Sequence, residues 1–551
     1  MPDPRTPPLT VRTPVATAAA ATALAVAATL LVAGAGGRDA TLLPVAAGDR
    51  DFRASLGDVA FRDALPPTSV TTYTWSPGDE TVAAWRTTAT ASGLSERVAE
   101  QPALATSVPT GDEELRVGAP VPGAGEIVGL GGALTDAAAY LLDTSPHRDT
   151  ALDALFGDDG ADLDVVRVPM GATDMESGAV HTSYADAPDP TLESFSVERD
   201  LAHVVPVLRS ALAIEPDLTV VAAPWSAPGW MKNSGRYLGE CRGRQNHLRD
   251  DAYDVYARYY VRFLQEYAAL GVDVAQVSLG NEPQHCDPSY PTMTMTSDEQ
   301  ARLATTLRPA LDAAGFADVE ILGWDHNYVD QGTNTPTRYP DRLVAAAGDS
   351  VDAIAYHCYE SDLHASPAAT QTTLRPVWMT ECTGTLTWRD TRQNLVNETH
   401  LALLDPLRHG AVASLYWNLA LDASGGPHLG GCRVCRGMLV VDGATVEVGE
   451  SLTYWSQLSR FVEPGARLLA STQRRPVETA AFENPDGSRV LVVLNTSWST
   501  LGWGTPAEPT VAPTTAPTTA PTTPPSREPA TGPVAGLLGG LGRLVRGLLP
   551  F

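Results

Sequence analysis

The feature that most constrains the fold is a regular alternation of short apolar runs with amphipathic stretches over residues 126–418. The amphipathic stretches include helix candidates at residues 197–212, 252–270, 297–314 and 392–409. The apolar runs that have the length and composition of buried strands are residues 126–133, 163–169, 218–224, 272–279, 319–324, 351–357, 376–381 and 413–418. Eight strands with intervening helices predict an α/β fold, a (β/α)8 TIM barrel, and a doubly wound open sheet is the alternative.

Short β-like pieces flank this alternation on both sides. They lie in residues 70–121 and 451–497, and the second group contains the hairpin signal Asp486-Gly487. We expect them to pair as a small side β-sandwich, built from both chain ends, beside a catalytic barrel at residues 122–450. Residues 36–69 show little pattern and are rich in Asp, Arg and Pro, which predicts a disordered tether.

The two ends of the chain have compositions that cannot build a core. Residues 1–35 place Arg5 and Arg12 before a long run of Ala, Val, Leu and Thr, which predicts a signal peptide, with an uncleaved anchor as the alternative. Residues 498–533 contain the repeat APTTAPTTAPTT and predict an extended Thr/Pro-rich linker. The apolar tail at residues 534–551 is either a membrane-surface helix or disordered, so a weak membrane or cell-wall association stays open.

Charge and cysteine content restrict the class of protein. The chain has 65 acidic and 38 basic residues and a net charge of −27, which argues against a nucleic-acid partner and suits a secreted, extracellular protein. Six cysteines in an exported chain indicate disulfides, with about 15 possible pairings. Cys432 and Cys435 have zinc-knuckle spacing, but no second such pair follows, so we interpret them as a local disulfide or two neighbouring half-cystines. We identify no metal site and no cofactor motif.

Two glutamates follow predicted strands. Glu282 closes the fourth strand in the sequence Gly-Asn-Glu-Pro, and Glu381 closes the seventh. Either one alone is best explained as an ordinary charged residue, but a carboxylate pair at strand ends of a barrel is what glycoside hydrolysis requires. Glu381 is the candidate nucleophile, kept ionised by a cation such as Arg167, and Glu282 the candidate acid/base, with a pKa expected to be raised by burial and by Glu381. Asn281 is placed to hydrogen-bond a sugar 2-hydroxyl.

Other predicted strand ends carry side chains suited to sugar binding. They mix carboxylates, amides and flat aromatic faces: Asp174, Trp225, Asp325, His357, Tyr359, Trp417 and Asn418. Each could be structural, and tryptophans such as Trp225 and Trp417 are more often core residues than sugar platforms. Their repetition at successive strand ends favours a site.

These residues lie in segments that resemble glycoside hydrolase family 30, the glucosylceramidase and endo-β-1,6-glucanase family. The matching segments are GLGGALTDAA at 129–138, RVPMGATD at 167–174, PWSAPGWMKN at 224–233, GNEP at 280–283, AYHCY at 355–359, TECTG at 380–384, WNLALDASGGP at 417–427 and FVEPGA at 461–466. The resemblance spans about residues 115–495 and implies a retaining β-glycosidase with Glu282 as acid/base and Glu381 as nucleophile. It also implies a set of residues around the glycone: Arg167, Asp174, Trp225, Asn281, Tyr290, His357, Tyr359 and Trp417.

Details of the resemblance favour the endo-β-1,6-glucanase branch. Glucosylceramidases tend to have a tryptophan where Cys358 stands, and the branch has cysteines that match Cys358 and Cys382. Because strands six and seven are neighbours in a barrel, we expect a Cys358–Cys382 disulfide. One departure is Leu130 in place of the family's phenylalanine. Another is the Thr/Pro segment after Asn495, which predicts a sandwich short by one or two strands.

The sequence therefore predicts a secreted retaining β-glycoside hydrolase acting on a β-linked glucan, endo-β-1,6-glucanase-like. The first alternative is a glucosylceramidase-like β-glucosidase that acts on a lipid glucoside. The alternative from another class is a non-catalytic carbohydrate-binding wall protein on an inactive barrel. The presence of both Glu282 and Glu381 argues against this last reading.

Overall fold

The computed structural model describes residues 50–56, 59–111, 113–331, 336–359 and 375–497. The strands before the barrel are β1 (Arg50–Leu56), β2 (Val59–Leu65), β3 (Ser69–Trp75), β4 (Thr81–Thr90), β5 (Gly93–Ala105) and β6 (Leu115–Pro120). The barrel strands are β7 (Gly129–Ala133), β8 (Val165–Pro169), β9 (Thr219–Ala223), β10 (Gln276–Ser278), β11 (Glu320–Asn327), β12 (Ala353–His357), β13 (Val377–Cys382) and β14 (Ala411–Tyr416). The later strands are β15 (Ala420–Leu421), β16 (Leu439–Asp442), β17 (Thr445–Val448), β18 (Arg467–Ser471), β19 (Val477–Glu483) and β20 (Arg489–Asn495).

Helices fill most of the connections between barrel strands, and the last helix follows the barrel. They are α1 (Asp136–Thr144), α2 (Arg148–Phe156), α3 (Val204–Ile214), α4 (Tyr253–Ala269), α5 (Ser297–Ala313), α6 (Tyr339–Ala347), α7 (Thr391–Glu398), α8 (Asp405–Arg408) and α9 (Glu450–Ser459). A π-helical segment, Thr399–Leu404, joins α7 to α8. The predicted helix at 392–409 is therefore continuous but not uniformly α-helical.

The barrel is closed, which confirms the predicted TIM barrel over the open sheet. Within the described residues, β7 to β14 pair in parallel around a ring, and β14 pairs with β7 through Ala413 and Gly129. Every residue of β8, β12, β13 and β14 is buried because helices cover one face and side chains fill the interior on the other. Val165, Leu322 and Trp378 belong to the apolar cluster of these strands.

The barrel helices begin and pack as their sequences dictate. Thr296 and Glu299 form a capping box at the start of α5, each bonding the other's backbone N–H. Tyr256, Tyr260 and Phe263 lie on the aromatic face of α4 and are completely buried, which confirms the interpretation of this stripe as core packing.

A nine-stranded sheet stands beside the barrel in the described part of the chain. Its order is β2-β1-β6-β18-β19-β20-β3-β4-β5, so strands from both chain ends interleave, as predicted. A bridge between Ala60 and Ser107 brings its two edges together around an apolar cluster that includes Phe61, Tyr73 and Trp75. Helix α9 lies between sheet and barrel, because Gln457 bonds Thr72 of β3 and Ser451 bonds Tyr416 of β14.

The prediction of a tether at residues 36–69 is wrong for its second half. Residues 50–56 and 59–65 form β1 and β2, and β1 pairs in parallel with β6. Buried Phe52 and Ala54 flank Arg53, and buried Phe61 precedes Arg62 and Asp63. This alternation has the period of a half-buried strand, but the outward-facing charges made the segment look like a linker. The two strands extend the sheet beyond β6.

The predictions for residues 1–35, 498–533 and 534–551 lie outside the described residues. Among the residues that are described, no helix has both the length and the apolar character needed to cross a membrane.

Three disulfides join the six cysteines of the described structure. Cys358–Cys382 links β12 to β13, with its Cα atoms 5.2 Å apart, and confirms the expected pairing. Cys432–Cys435 is a local disulfide, so its spacing does not mark a zinc knuckle. The third, Cys241–Cys286, joins two loops on the side of the barrel where Glu282 lies.

Candidate active site

Arg167 is the centre of a buried polar network inside the barrel. It lies in β8 and its side chain is 1% exposed. The guanidinium donates to Glu381 Oε2 at 2.6 Å, Asn281 Oδ1 at 2.8 Å and Asp325 Oδ2 at 3.0 Å. The planar fork of arginine can satisfy several acceptors at once, which a lysine ammonium at the end of a flexible stem cannot do with the same geometry.

Glu381 ends β13 with both carboxylate oxygens occupied. Oε2 accepts from Arg167, and Oε1 accepts from the Tyr359 hydroxyl at 2.9 Å. Tyr359 stands at the rim of the barrel with 41% of its surface exposed, and its N–H donates to Asn327 Oδ1. The two contacts fix the orientation of the Glu381 carboxylate.

Glu282 follows β10 in a strained backbone conformation. Its φ is +48°, a region that residues other than glycine rarely adopt, and such strain is concentrated at functional sites. Its N–H donates to the Asp325 carbonyl at 2.9 Å, which helps to hold this conformation. Its Oε1 lies 3.1 Å from His357 Nδ1 and 3.5 Å from His326 Nδ1.

Glu282 and Glu381 face one another across this site. His357 Nδ1 is 3.1 Å from Glu282 Oε1 and 3.9 Å from Glu381 Oε1. The two carboxylate oxygens are therefore at most about 7 Å apart, a limit that admits the ~5–5.5 Å of a retaining glycosidase and excludes most of the ~6.5–9.5 Å range of inverting enzymes.

Asp325 is a buried carboxylate that bonds several members of this network. A bulge between Trp324 and His326 shifts the register of β11, and Asp325 has a φ of +61° with a fully buried side chain. It accepts from Ser278 Oγ at 2.6 Å and Thr380 Oγ1 at 2.5 Å. Burial would raise the pKa of Asp325, but Arg167 and the hydrogen bond from His357 outweigh burial and hold that pKa well below its usual range. The carboxylate therefore stays ionised.

Sequence reasoning missed three residues that contact Asp325 or Glu282. Ser278 and Thr380 are buried polar residues inside otherwise apolar strands, and His326 follows a bulge that no pattern revealed. A hydroxyl at or near the end of a barrel strand was the one available signal, because such a side chain needs a buried polar partner.

The pKa expected for Glu282 is wrong in direction. Burial raises the pKa of this carboxyl, but the neighbouring imidazoles of His326 and His357 outweigh burial and hold the pKa well below its usual value. Burial would lower the pKa of His357, yet Glu381, Asp325 and Glu282 together raise it to about 9. In the ligand-free site the proton of this pair therefore sits on the imidazole.

Two tryptophans form one wall of the site. Trp225 and Trp417 follow β9 and β14, and their rings stack with centroids 5.1 Å apart. The Arg167 guanidinium lies 4.8 Å from the Trp225 ring centroid. Tyr290 belongs to the same apolar cluster, which closes the wall on the β10 side.

The loop that carries the Cys432–Cys435 disulfide is attached to the site through Asp174. The Cys432 N–H donates to Asp174 Oδ2 at 2.9 Å. Gly431 has a φ of +52°, and a Cβ there would lie 2.3 Å from the Asp174 carboxylate, so only glycine fits. Burial raises the pKa of Asp174 to about 7 despite the Cys432 hydrogen bond.

Asn418 is buried at the end of β14. Its Oδ1 accepts from the Thr135 hydroxyl at 2.6 Å, and its Nδ2 has no hydrogen-bond partner among the described residues. The amide orientation leaves one donor available.

The structure brings the predicted site residues to the same end of the barrel. Each lies in a barrel strand or in the segment that follows one: Arg167, Asp174, Trp225, Asn281, Glu282, Tyr290, Asp325, His357, Tyr359, Glu381, Trp417 and Asn418. A buried arginine, four carboxyl groups and an aromatic wall can bind and position a sugar, and two of the carboxyl groups can exchange protons and electron pairs with it.

Comparison with known proteins agrees with this geometry. The glycosyl hydrolase family 30 TIM-barrel domain matches residues 127–435, and the family's beta sandwich domain matches residues 465–501. Endo-1,6-beta-D-glucanase neg1 of Aspergillus fumigatus is 30% identical over 399 residues, which cover 67% of this chain and 78% of that protein. Lysosomal acid glucosylceramidase of Mus musculus is 30% identical over 397 residues, which cover 68% and 75%.

A solved structure shares the same architecture. The endo-beta1,6-glucanase BT3312 superposes with a TM-score of 0.63 at 25% identity, over 78% of this chain and 92% of that one. Because the barrel domain matches more than half of the chain and the relatives are covered over most of their length, the protein belongs to glycosyl hydrolase family 30 and is a glycosidase.

Proposed function

We propose that this glycosidase is a retaining endo-β-1,6-glucanase in which Glu381 is the nucleophile and Glu282 the acid/base. The observation that carries the proposal is the shared contact of both carboxylates with His357 Nδ1. Their oxygens are therefore at most about 7 Å apart, a separation that supports the action of both groups on one glycosidic bond.

In the first step a Glu381 oxygen attacks the anomeric carbon, and the bond from that carbon to the glycosidic oxygen breaks. The leaving oxygen takes a proton from Glu282. In the second step the Glu282 carboxylate removes a proton from water, and the water oxygen displaces Glu381 from the anomeric carbon. Arg167 and Tyr359 hold Glu381 in the orientation for attack, because each bonds a different carboxylate oxygen.

The acid step needs the proton that His357 holds in the ligand-free site. The His357 Nε2 faces Asp325 Oδ1 at 3.1 Å, and its Nδ1 faces Glu282. An Nε2–H bonded to Asp325 leaves a neutral imidazole whose Nδ1 accepts from protonated Glu282. Transfer of one proton across this 3.1 Å contact therefore protonates Glu282, which can then act as the acid without taking a proton from solvent.

Asn281 is the proposed contact for the sugar 2-hydroxyl. Its Oδ1 is bonded to Arg167 Nη2, so the amide is oriented and its Nδ2 is directed away from the guanidinium. A hydrogen bond from Nδ2 to the 2-hydroxyl would strengthen as positive charge develops on the sugar ring. The free Nδ2 of Asn418 is a second donor at the same end of the barrel.

The choice of a β-1,6-glucan rests on the relatives and on the cysteines. The fungal relative and the superposed structure are both named as endo-1,6-β-glucanases. The Cys358–Cys382 disulfide joins the segments that carry His357, Tyr359 and Glu381. The mouse relative, a glucosylceramidase of similar identity, makes a lipid glucoside the second candidate substrate.

The experiment is an assay of the purified full chain on β-1,6-, β-1,3- and β-1,4-linked glucans and on glucosylceramide. The proposal expects new reducing ends and a mixture of oligosaccharides from the β-1,6 polymer, with the β-anomer formed first, and no cleavage of glucosylceramide. Cleavage of glucosylceramide alone would support the second candidate. A Glu381→Gln variant is the control, since a carbohydrate-binding protein would keep its behaviour and an enzyme would lose turnover by orders of magnitude.

We place the protein outside the cytoplasm. Three disulfides in the described residues suit an oxidising compartment. Cleavage after the predicted signal peptide and attachment through residues 534–551 stay predictions.

A further inference from the structure

His326 lies beside Glu282, but the proposed mechanism gives it no role. Its side chain is 2% exposed, yet neither ring nitrogen has a hydrogen-bond partner within the described residues. A buried imidazole without partners is costly, since each polar atom loses its bonds to water. Its Nδ1 is directed at Glu282 Oε1 from 3.5 Å.

Three potential metal ligands converge at this point. One ligand atom each from Glu282, His326 and His357 lie within 4.8 Å of one another. The contacts of Glu282 Oε1 with the two imidazoles measure 3.1 and 3.5 Å. Bonds of ~2.0–2.1 Å in a tetrahedral zinc site place neighbouring ligand atoms about 3.3 Å apart, so both contacts have the length of a tetrahedron edge.

Asp325, the hydrogen-bond partner of His357, adds a feature that is typical of metal sites. The His357 Nε2 lies 3.1 Å from Asp325 Oδ1, and that carboxylate is itself held by Ser278 and Thr380. A carboxylate that accepts from the far nitrogen of a ligating histidine fixes the tautomer, so a metal ion that displaces the Nδ1 proton of His357 would meet the Nδ1 lone pair.

The charge around the cluster also suits a cation. Glu282, Glu381 and Asp325 are carboxylates, and Arg167 is the guanidinium that contacts the last two. A divalent ion with imidazole affinity would gain from the excess negative charge, whereas Mg²⁺ and Ca²⁺ prefer sites built from oxygen ligands alone.

We propose that Glu282, His326 and His357 form a binding site for a zinc-class divalent ion, and that the bound ion inhibits the enzyme. The ion would take Glu282 Oε1 and the Nδ1 atoms of both histidines, with water or a sugar hydroxyl as the fourth ligand. A metal-bound Glu282 cannot carry the proton for the leaving group. The inhibition rests on the proposed function, but the binding does not.

The test measures binding and activity separately on the full chain. Zn²⁺ binding is followed by competition with a chromogenic chelator, and Co²⁺ is added to a second sample so that its visible absorption reports the ligand geometry. The variants are His326→Gln and His326→Asn, and His147→Gln is the matched control, a histidine at the start of α2. Each variant's inhibition is scored against its own metal-free rate, and Mg²⁺ is the control ion.

The proposal expects one Zn²⁺ per chain, and a loss of affinity of at least about tenfold in both His326 variants with no change in His147→Gln. Inhibition should follow the same concentration dependence as binding, and Mg²⁺ should not inhibit. Unchanged zinc affinity in folded His326 variants, or no zinc bound by the native chain, would overturn it. Zinc binding to a chain that cleaves no glycoside would support the metal site and contradict the proposed function instead. Near-ultraviolet circular dichroism shows whether each variant is folded.

Discussion

The Arg167 Nη1 of β8 donates to the Glu381 Oε2 of β13 across 2.6 Å, so one side chain joins opposite parts of the barrel. The same guanidinium bonds Asn281 and Asp325. The proposed nucleophile, the proposed 2-hydroxyl contact and the buried supporting carboxylate therefore share one cation. Arg167, whose side chain is 1% exposed, therefore links the positions of all three residues.

We expect Arg167→Lys to lower kcat with little change in KM. A lysine keeps the charge but cannot span acceptors on three strands, so Glu381 and Asn281 lose their fixed orientation. Arg167→Met should in addition lower the free energy of unfolding by ~3–5 kcal/mol, since it leaves buried carboxylates unpaired. Steady-state kinetics and urea denaturation measure the two effects. Full activity in the lysine variant would show that the shared guanidinium does not position the nucleophile.

We expect Glu282→Gln to separate the two chemical steps. An activated aryl β-glucoside needs no protonation of its leaving group, so Glu381 should still form the glycosyl-enzyme, but water attack then lacks its base. The prediction is a burst of phenolate followed by a slow phase, and a loss of ~10²–10⁴-fold on the glucan. Stopped-flow absorbance measures the burst.

The matched control for that experiment is Glu381→Gln, which removes the attacking oxygen. It should give no burst on the same aryl glycoside. Bursts of equal size from both variants would mean that the roles of the two glutamates are assigned wrongly.

Sequence reasoning recovered the barrel because its strands are short apolar runs in a fixed rhythm, and eight parallel strands have few ways to close. It predicted that Glu282 and Glu381 lie at the same end of the barrel, because a barrel gathers strand ends at one face. It could not recover the positive φ of Asp325 or the bulge beside it, since these depend on the pairing of β11 with β12. The reversed pKa of Glu282 follows from His326 and His357, and His326 lies directly after that bulge.

Strands β1 and β2 were missed for a different reason. Their outward residues, such as Arg53 and Arg62, carry charge, while the buried residues Phe52 and Phe61 are few. A two-residue period in a short segment is weak evidence beside a composition typical of linkers. The pairing of β1 with β6 is a long-range contact that a local pattern does not contain.

We expect the fall of kcat/KM at alkaline pH to reflect loss of the proton that Glu282 and His357 share. The pair holds one proton, and the pKa of His357 is raised to about 9, so kcat/KM should fall as pH rises through about 9. In His357→Asn the proton is held by Glu282 alone, so the alkaline fall of kcat/KM should move to lower pH by at least about one unit. A pH–rate profile of both proteins checks this, and an unchanged alkaline fall in His357→Asn would show that His357 is not part of the proton path.

The same shift predicts a change of stability with pH. The folded pKa of His357, about 9, lies above its unfolded value of about 6.5. Its contribution is therefore fully present below pH ~6.5 and is lost as pH rises through about 9, a decline of up to ~3 kcal/mol in the free energy of unfolding. Urea denaturation across this range should show the decline in the native protein and a flatter curve in His357→Asn.

We expect Lys232, the sole lysine of the chain, to be unreactive until the protein unfolds. Its side chain is buried, and Nζ donates to the carbonyls of Tyr237 and Thr292 and to Asn246 Oδ1, at 3.0, 2.8 and 3.0 Å. Amine-reactive reagents should label it only in denaturant, which mass spectrometry of digests can measure. Lys232→Met should lower the free energy of unfolding by at least ~3 kcal/mol, because it leaves several buried acceptors unpaired. Arg236→Met, which removes an exposed cation from the same loop, is the matched control and should change stability by less than ~0.5 kcal/mol. Rapid labelling of Lys232 in the folded protein would contradict its enclosure.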